Sequence, residues 1–127
     1  MKNSFPLLAA MVLLLTACGP DQIIADLPSP DGSHHVEVRL CPQRGSFTRD
    51  SHTQVSVLKS GESENCNAFI NATAQFAGYA PNEQLQLEWL SDTELRAWHP
   101  AFDPQHGPAR AAYKNATPIT LTFAPAR

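Results

Sequence analysis

One apolar run opens the chain, and short alternating segments follow it. Phe5 to Ala17 is thirteen residues without a charge, preceded by Lys2. A helix that crosses a bilayer needs roughly 20 apolar residues, so this run is too short to span. Beyond it the period is two. Val36, Val38 and Leu40 fall on one face of an extended segment, with His35, Glu37 and Arg39 on the other. Thr53, Val55 and Val57 repeat the pattern, as do Leu85, Leu87 and Trp89. Leu95 and Ala97 alternate with Glu94, Arg96 and Trp98, and Ile119, Leu121 and Phe123 alternate with Thr120 and Thr122. Period two predicts half-buried strands. A short edge strand at Ile23-Ile24 and another strand near Asn67 to Ile70 complete the expected set, with a long loop through Pro81-Asn82.

Turn chemistry punctuates these segments. Ser29-Pro30-Asp31-Gly32 presets a turn, since Pro fixes φ and Gly tolerates positive φ. Lys59-Ser60-Gly61-Glu62 and Ser91-Asp92 read the same way. The expectation is an all-β fold: a small antiparallel sheet, sandwich or curled barrel of about six or seven strands, after an N-terminal helical signal peptide.

A charged start, a short apolar stretch and small residues before a cleavage point form the pattern of a secretory signal peptide. Leu15-Thr16-Ala17-Cys18 resembles the lipobox of bacterial lipoprotein precursors. The resemblance implies that Cys18 is joined to diacylglycerol, that the chain is cut after Ala17, and that the new amine is open to acylation by a chain such as palmitate. Gly19 rather than Asp follows the cysteine. In lipoproteins of this type that implies the outer membrane, facing the periplasm. The expected organisation is a signal peptide at 1–17, a lipidated tether at 18–30 and a β domain at 31–127. Fully extended, the twelve residues 19–30 reach about 40 Å.

Composition then narrows the function. Lys2 leaves with the signal, so eight of the nine Lys and Arg remain against twelve Asp and Glu, a net charge of −4. No basic run is present, which argues against nucleic acid and against a polybasic membrane patch. Of the three cysteines, Cys41 and Cys66 remain after Cys18 is lipidated. An even pair in an oxidising compartment reads as a disulfide. Yet a simple meander places the two at opposite ends of the sheet, and a disulfide needs Cα atoms within about 7 Å. Three alternatives stay open: the meander is wrong, the strand near Cys66 is short and displaced, or the thiols are free.

The pieces Ser-Pro-Asp-Gly-x3-Val-x-Val and Leu-x-Leu-x-Trp-Leu-Ser-Asp-x-x-Leu, within residues 29–98, resemble strand-turn-strand units of periplasmic propeller repeats. They are similar as well to a family of small bacterial envelope lipoproteins with an SPDG turn. The resemblance implies strand-turn-strand packing and brings no functional residues with it.

Catalytic patterns are absent from the sequence: no Gly-x-Ser-x-Gly, His-Glu-x-x-His, Cys-x-x-Cys or glycine-rich phosphate loop occurs. No cofactor is expected. His99, Asp103 and His106 are the best candidates for a metal, as two imidazoles and a carboxylate, but they fall in a proline-punctuated loop. His34 and His35 point to opposite faces of one strand and cannot chelate together. Glu62 and Glu64 beside a Ser-Gly turn read as solvated charge. Arg44, Phe47 and Arg49, in the polar loop 42–52, are the main candidates for recognition, because loops carry function and Arg and aromatic residues dominate binding hot spots. Trp89 and Trp98 read as core or core-rim packing, with a stacking surface for a glycan as the alternative; Trp98, sharing a face with Glu94 and Arg96, is expected to be the more exposed of the two and is the other binding candidate.

The sequence therefore predicts a non-enzymatic, lipid-anchored periplasmic binding module, with an envelope protein or cell-wall component as its partner. One alternative is an inhibitor that inserts loop 42–52 into a wall-degrading enzyme. The other is a metal-dependent enzyme using His99, Asp103 and His106.

Overall fold

The computed structural model describes residues 22–42, 51–78, 84–108 and 110–126. Among them the chain is all-β. Eight strands run in order: β1 Gln22–Pro28, β2 His34–Pro42, β3 Ser51–Lys59, β4 Ala74–Gly78, β5 Gln86–Trp89, β6 Glu94–Trp98, β7 Ala111–Tyr113 and β8 Thr120–Phe123. They form two open sheets, not a closed barrel. One has the order β1-β2-β3-β4-β7 and the other β5-β6-β8. Every pairing is antiparallel except β6 with β8, which is parallel.

The period-two residues face where the pattern predicts. Val36 pairs with Val57 and Val38 with Val55, and Phe76 stands across from Val55. These side chains meet Leu95, Ala97 and Leu121 of the smaller sheet, and Ile119 just before β8, in one buried cluster. Phe102, from the loop after β6, closes the cluster edge-on against Phe76 and Phe123, with ring centroids 5.9 Å away in both cases. Burying large aliphatic and aromatic side chains in this way contributes roughly 1.5–3 kcal/mol each before entropy is set against it.

The turns follow their chemistry. Gly32 and Gly61 both take positive φ, at 76° and 86°. Asp31 Oδ1 accepts hydrogen bonds from the Ser33 amide and from the Ser29 and Ser33 hydroxyls. These bonds hold its carboxyl below the usual aspartate value.

Three expectations need correction. Asn67 to Ile70 is loop, not strand, and the strand forms later, at β4, within a stretch read as loop. A further short strand, β7, joins β4 where the sequence suggested only loop. Trp98 is half-buried, in keeping with core-rim packing, edge-on against Phe102 at 5.9 Å and against the core. The arginine sharing its strand is buried too. Arg96 bonds Glu88 Oε1 at 2.9 Å and the Ala124 carbonyl at 2.8 Å. The edge strand expected at Ile23-Ile24 is present but longer, since β1 pairs along β2 from Gln22 to Pro28, so much of the segment read as tether is strand.

Candidate functional site

The outer face of the five-stranded sheet, away from the core, carries polar side chains: Glu37 on β2, Gln54 on β3 and Gln75 on β4. Such a row faces water in an ordinary sandwich. Here residues 60–73, between β3 and β4, fold back across it as a strap. Each polar residue bonds the strap. Glu37 accepts from the Ser63 hydroxyl at 2.7 Å and the Glu64 amide at 3.2 Å. Gln54 donates to the Asn65 carbonyl and accepts from the Asn67 amide, both at 2.8 Å. Gln75 donates to the Ala68 carbonyl at 2.8 Å.

A disulfide staples the strap to β2. Cys41 and Cys66 are bonded, with Cα atoms 5.6 Å apart. This answers the geometric conflict raised by a meander. Cys66 belongs to no strand. It lies on the strap, which runs back over the sheet toward the Cys41 end of β2.

Glu64 organises the strap from within. Its side chain is 1% exposed. Oε2 accepts the amides of Ile70 and Asn71 at 2.7 Å and of Ala72 at 2.9 Å, and Oε1 accepts that of Asn65 at 3.1 Å. Burial alone pushes a carboxyl up, but four backbone N–H donors outweigh it and hold Glu64 below the usual glutamate value. The expectation of a solvated carboxylate is overturned here. The sequence signal for this role is absent, because the four donors are backbone groups.

Beside the strap a groove of about 730 Å³ opens between it and the β4–β7 edge. Phe69, Phe76, Ala77, Ala111 and Ala112 supply an apolar lining, and His52 and Arg110 supply polar heads. Lys114 steadies the strap side. Its Nζ sits 5.1 Å from the Phe69 ring centroid and donates to the Ile70 carbonyl at 2.7 Å. The arrangement suits an extended ligand with small apolar groups and a carboxylate, which the histidine and arginine can meet. Of these lining residues only His52, the last residue of loop 42–52, falls in a segment the sequence singled out.

A smaller cleft lies where β1, β2 and the strap meet. His35 bridges it, with Nδ1 at 2.8 Å from Asp26 Oδ1 and Nε2 at 2.7 Å from the Glu62 carbonyl. Both partners are acceptors, so the protonated ring can donate to both at once. Partial burial pulls the His35 pKa down, but the carboxylate and the carbonyl together raise it above the ordinary value.

The residues singled out by sequence are distributed as follows. Cys18, Arg44, Phe47 and Arg49 lie outside the described residues, and with the last three goes the loop an inhibitor would insert. The strand ends flanking that loop, Pro42 and Ser51, pair with each other. His99 is 1% exposed, and its Nδ1 accepts the Ala101 amide at 2.9 Å. Asp103 accepts from the Gln105 and His106 amides and contacts His106 Nδ1 at 3.2 Å, which closes its own loop. Among the described residues no three His, Cys, Asp or Glu side chains are grouped to hold a metal ion. Trp98 serves the core and does not line the groove.

No protein-family model, curated protein or solved structure matches the chain.

Proposed function

We propose that the chain is a non-enzymatic lipoprotein of the bacterial envelope, anchored through Cys18 in the outer membrane and facing the periplasm, where its β domain binds a partner. The groove beside the strap carries this reading: an apolar floor, two cationic or donor heads and a rim fixed by a disulfide. Rigid framing keeps the ordering penalty of binding small. The Cys41–Cys66 pairing accords with an oxidising compartment, and so with export by residues 1–17. Anchoring supports a modest interface, because tethering raises effective concentration toward neighbouring envelope components. The favoured ligand is an extended, carboxylate-bearing peptide segment of an envelope protein or of the cell wall.

The test is crosslinking and capture from native envelopes with three forms of the chain: unchanged, Cys18→Ser, and Phe69→Ala with Arg110→Glu. One component should be enriched by the unchanged chain and lost with the groove variant. Enrichment that survives the groove variant refutes the groove as the binding site. No enrichment above the Cys18→Ser control refutes the binding reading.

A further inference from the structure

The five-stranded sheet ends on one side at β1, and this edge is guarded in an uneven way. Its side chains are apolar and open to solvent. Ile23, Ile24 and Leu27 are 45%, 37% and 39% exposed, and they account for half of the six exposed large apolar side chains among the described residues. Leu27 stands beside Val36 on the core-facing side and Ile23 beside Arg39 on the strap-facing side, so the exposed aliphatic groups flank the free edge from both sides. Its backbone, by contrast, is protected. The register slips between Ile23 and Ala25. Pro28 has no N–H to offer. The Trp89 indole N–H caps the Leu27 carbonyl at 2.9 Å.

Those two properties select the occupant. Strand addition, whether by a second copy or by a donated peptide, needs a continuous row of free backbone groups. A bulge, a proline and an indole interrupt that row. A lipid surface needs only the side chains. The one charged residue of the strand, Asp26, stands beside Glu37 on the strap-facing side and contacts His35 at 2.8 Å. Trp89, which borders the strip, is a residue type favoured at the headgroup level.

Chain length supplies the second argument. Only Gly19, Pro20 and Asp21 separate Cys18 from β1. Even fully extended, that connection keeps Ile23 within about 18 Å of the anchored cysteine. We infer that the β1 edge lies against the leaflet that holds the Cys18 lipid, with Ile23, Ile24 and Leu27 at the boundary between headgroups and acyl chains. The inference rests on the anchoring of Cys18 proposed above. It also gives the groove a direction. β7 is at the opposite end of the strand order from β1. Four strand spacings of about 4.8 Å hold that edge roughly 19 Å further out. The docked strand turns the groove toward the periplasm.

The test uses hydrogen–deuterium exchange on the mature chain beginning at Cys18. Cys41 and Cys66 are bonded to each other, so Cys18 is the one thiol left for coupling to a maleimide phospholipid. Exchange is compared free in solution and coupled to phosphatidylcholine vesicles. Coupling should slow the amides of 22–28 at least tenfold and leave those of 111–113 unchanged. In the Ile23→Ser, Ile24→Ser, Leu27→Ser variant, coupling should slow neither set, and unchanged exchange at 111–113 shows that the fold persists. Equal exchange at 22–28 in the free and coupled native chain overturns the inference. So does slowing that vanishes when the coupled chain is diluted in lipid, which assigns the edge to a second copy. The mass of the N-terminal peptide from cells reads the anchor separately: an unlipidated Cys18 refutes the anchoring and this docking with it. A lipidated Cys18 without slowing refutes the docking alone.

Discussion

Replacing Glu64 by Gln tests the strap most sharply. The side chain keeps its shape, so packing is nearly unchanged. What changes is the charge and one acceptor. In the native chain one carboxylate takes four backbone N–H groups, three of them on a single oxygen. Hydrogen bonds to a charged group contribute about 1.5–3 kcal/mol and neutral ones about 0.5–1.5 kcal/mol. If the amide oxygen of Gln keeps the three-donor position, its NH₂ faces the Asn65 amide, donor against donor. Weakening three bonds by about 1–1.5 kcal/mol each and losing the fourth removes about 4.5–7.5 kcal/mol. Sparing the desolvation of a buried charge returns part of that, and the expected net loss is about 2–3 kcal/mol. Denaturant unfolding at pH 7 measures it as a lower midpoint at constant slope. The pH dependence gives an independent reading. The Glu64 carboxyl sits below its ordinary value of 4.5 when folded. Its contribution is therefore complete above pH 4.5 and is lost as pH falls through the lower folded-state value. The gap between native chain and Gln variant should narrow over that acidic range. A variant within 0.5 kcal/mol of the native chain at pH 7, with the same pH profile, would refute the reasoning.

Three further outcomes are expected. His35 has a pKa raised above 6.5 by Asp26 and the Glu62 carbonyl, so the stability it supplies is complete below pH 6.5 and falls away as pH rises through the raised value. Unfolding of the native chain across pH 6 to 9 should show this loss, and a His35→Phe variant should not; identical profiles would contradict the bridge. Removing the cross-link with Cys41→Ala and Cys66→Ala opens a closure with a sequence separation of 25, and midpoint measurements should show a loss of about 3.5 kcal/mol by the loop-entropy estimate. Gly107 holds φ at 75°, and a Cβ there would stand 2.7 Å from Phe123 Cγ. Gly107→Ala should therefore lose about 2–3 kcal/mol from the left-handed backbone and the clash together, and a thermal midpoint within 1 °C of the native chain would argue against that packing.

Where side chains alternate strictly, the strands were legible in the sequence. The inward faces of β2, β3, β6 and β8 followed directly from Val36 and Val38, Val55 and Val57, Leu95 and Ala97, and Leu121. Ser29-Pro30-Asp31-Gly32 announced its turn for the same local reason. β4 and β7 were missed because Ala74, Ala77, Ala111 and Ala112 carry little strand preference, and partners distant in sequence decide their state. The strap was missed because its anchors are nonlocal. Gln54 and Gln75 look solvated until the strap carbonyls cover them, and Glu64 looks like surface charge until the backbone of 70–72 wraps it. The disulfide pair was legible from cysteine parity, but its geometry depended on the strap. Core-rim packing of Trp98 was legible from its strand, but its partner Phe102, beyond the end of that strand, was not.

One measurement addresses the proposed export, the proposed lipid anchor and the stapled strap together. The chain is purified from envelopes without reduction, digested, and its peptides weighed. The account predicts an N-terminal peptide that begins at Cys18 and carries diacylglycerol, together with a cross-linked pair of peptides containing Cys41 and Cys66. An N-terminus at Met1 with no lipid on Cys18, and free thiols at Cys41 and Cys66, would contradict it.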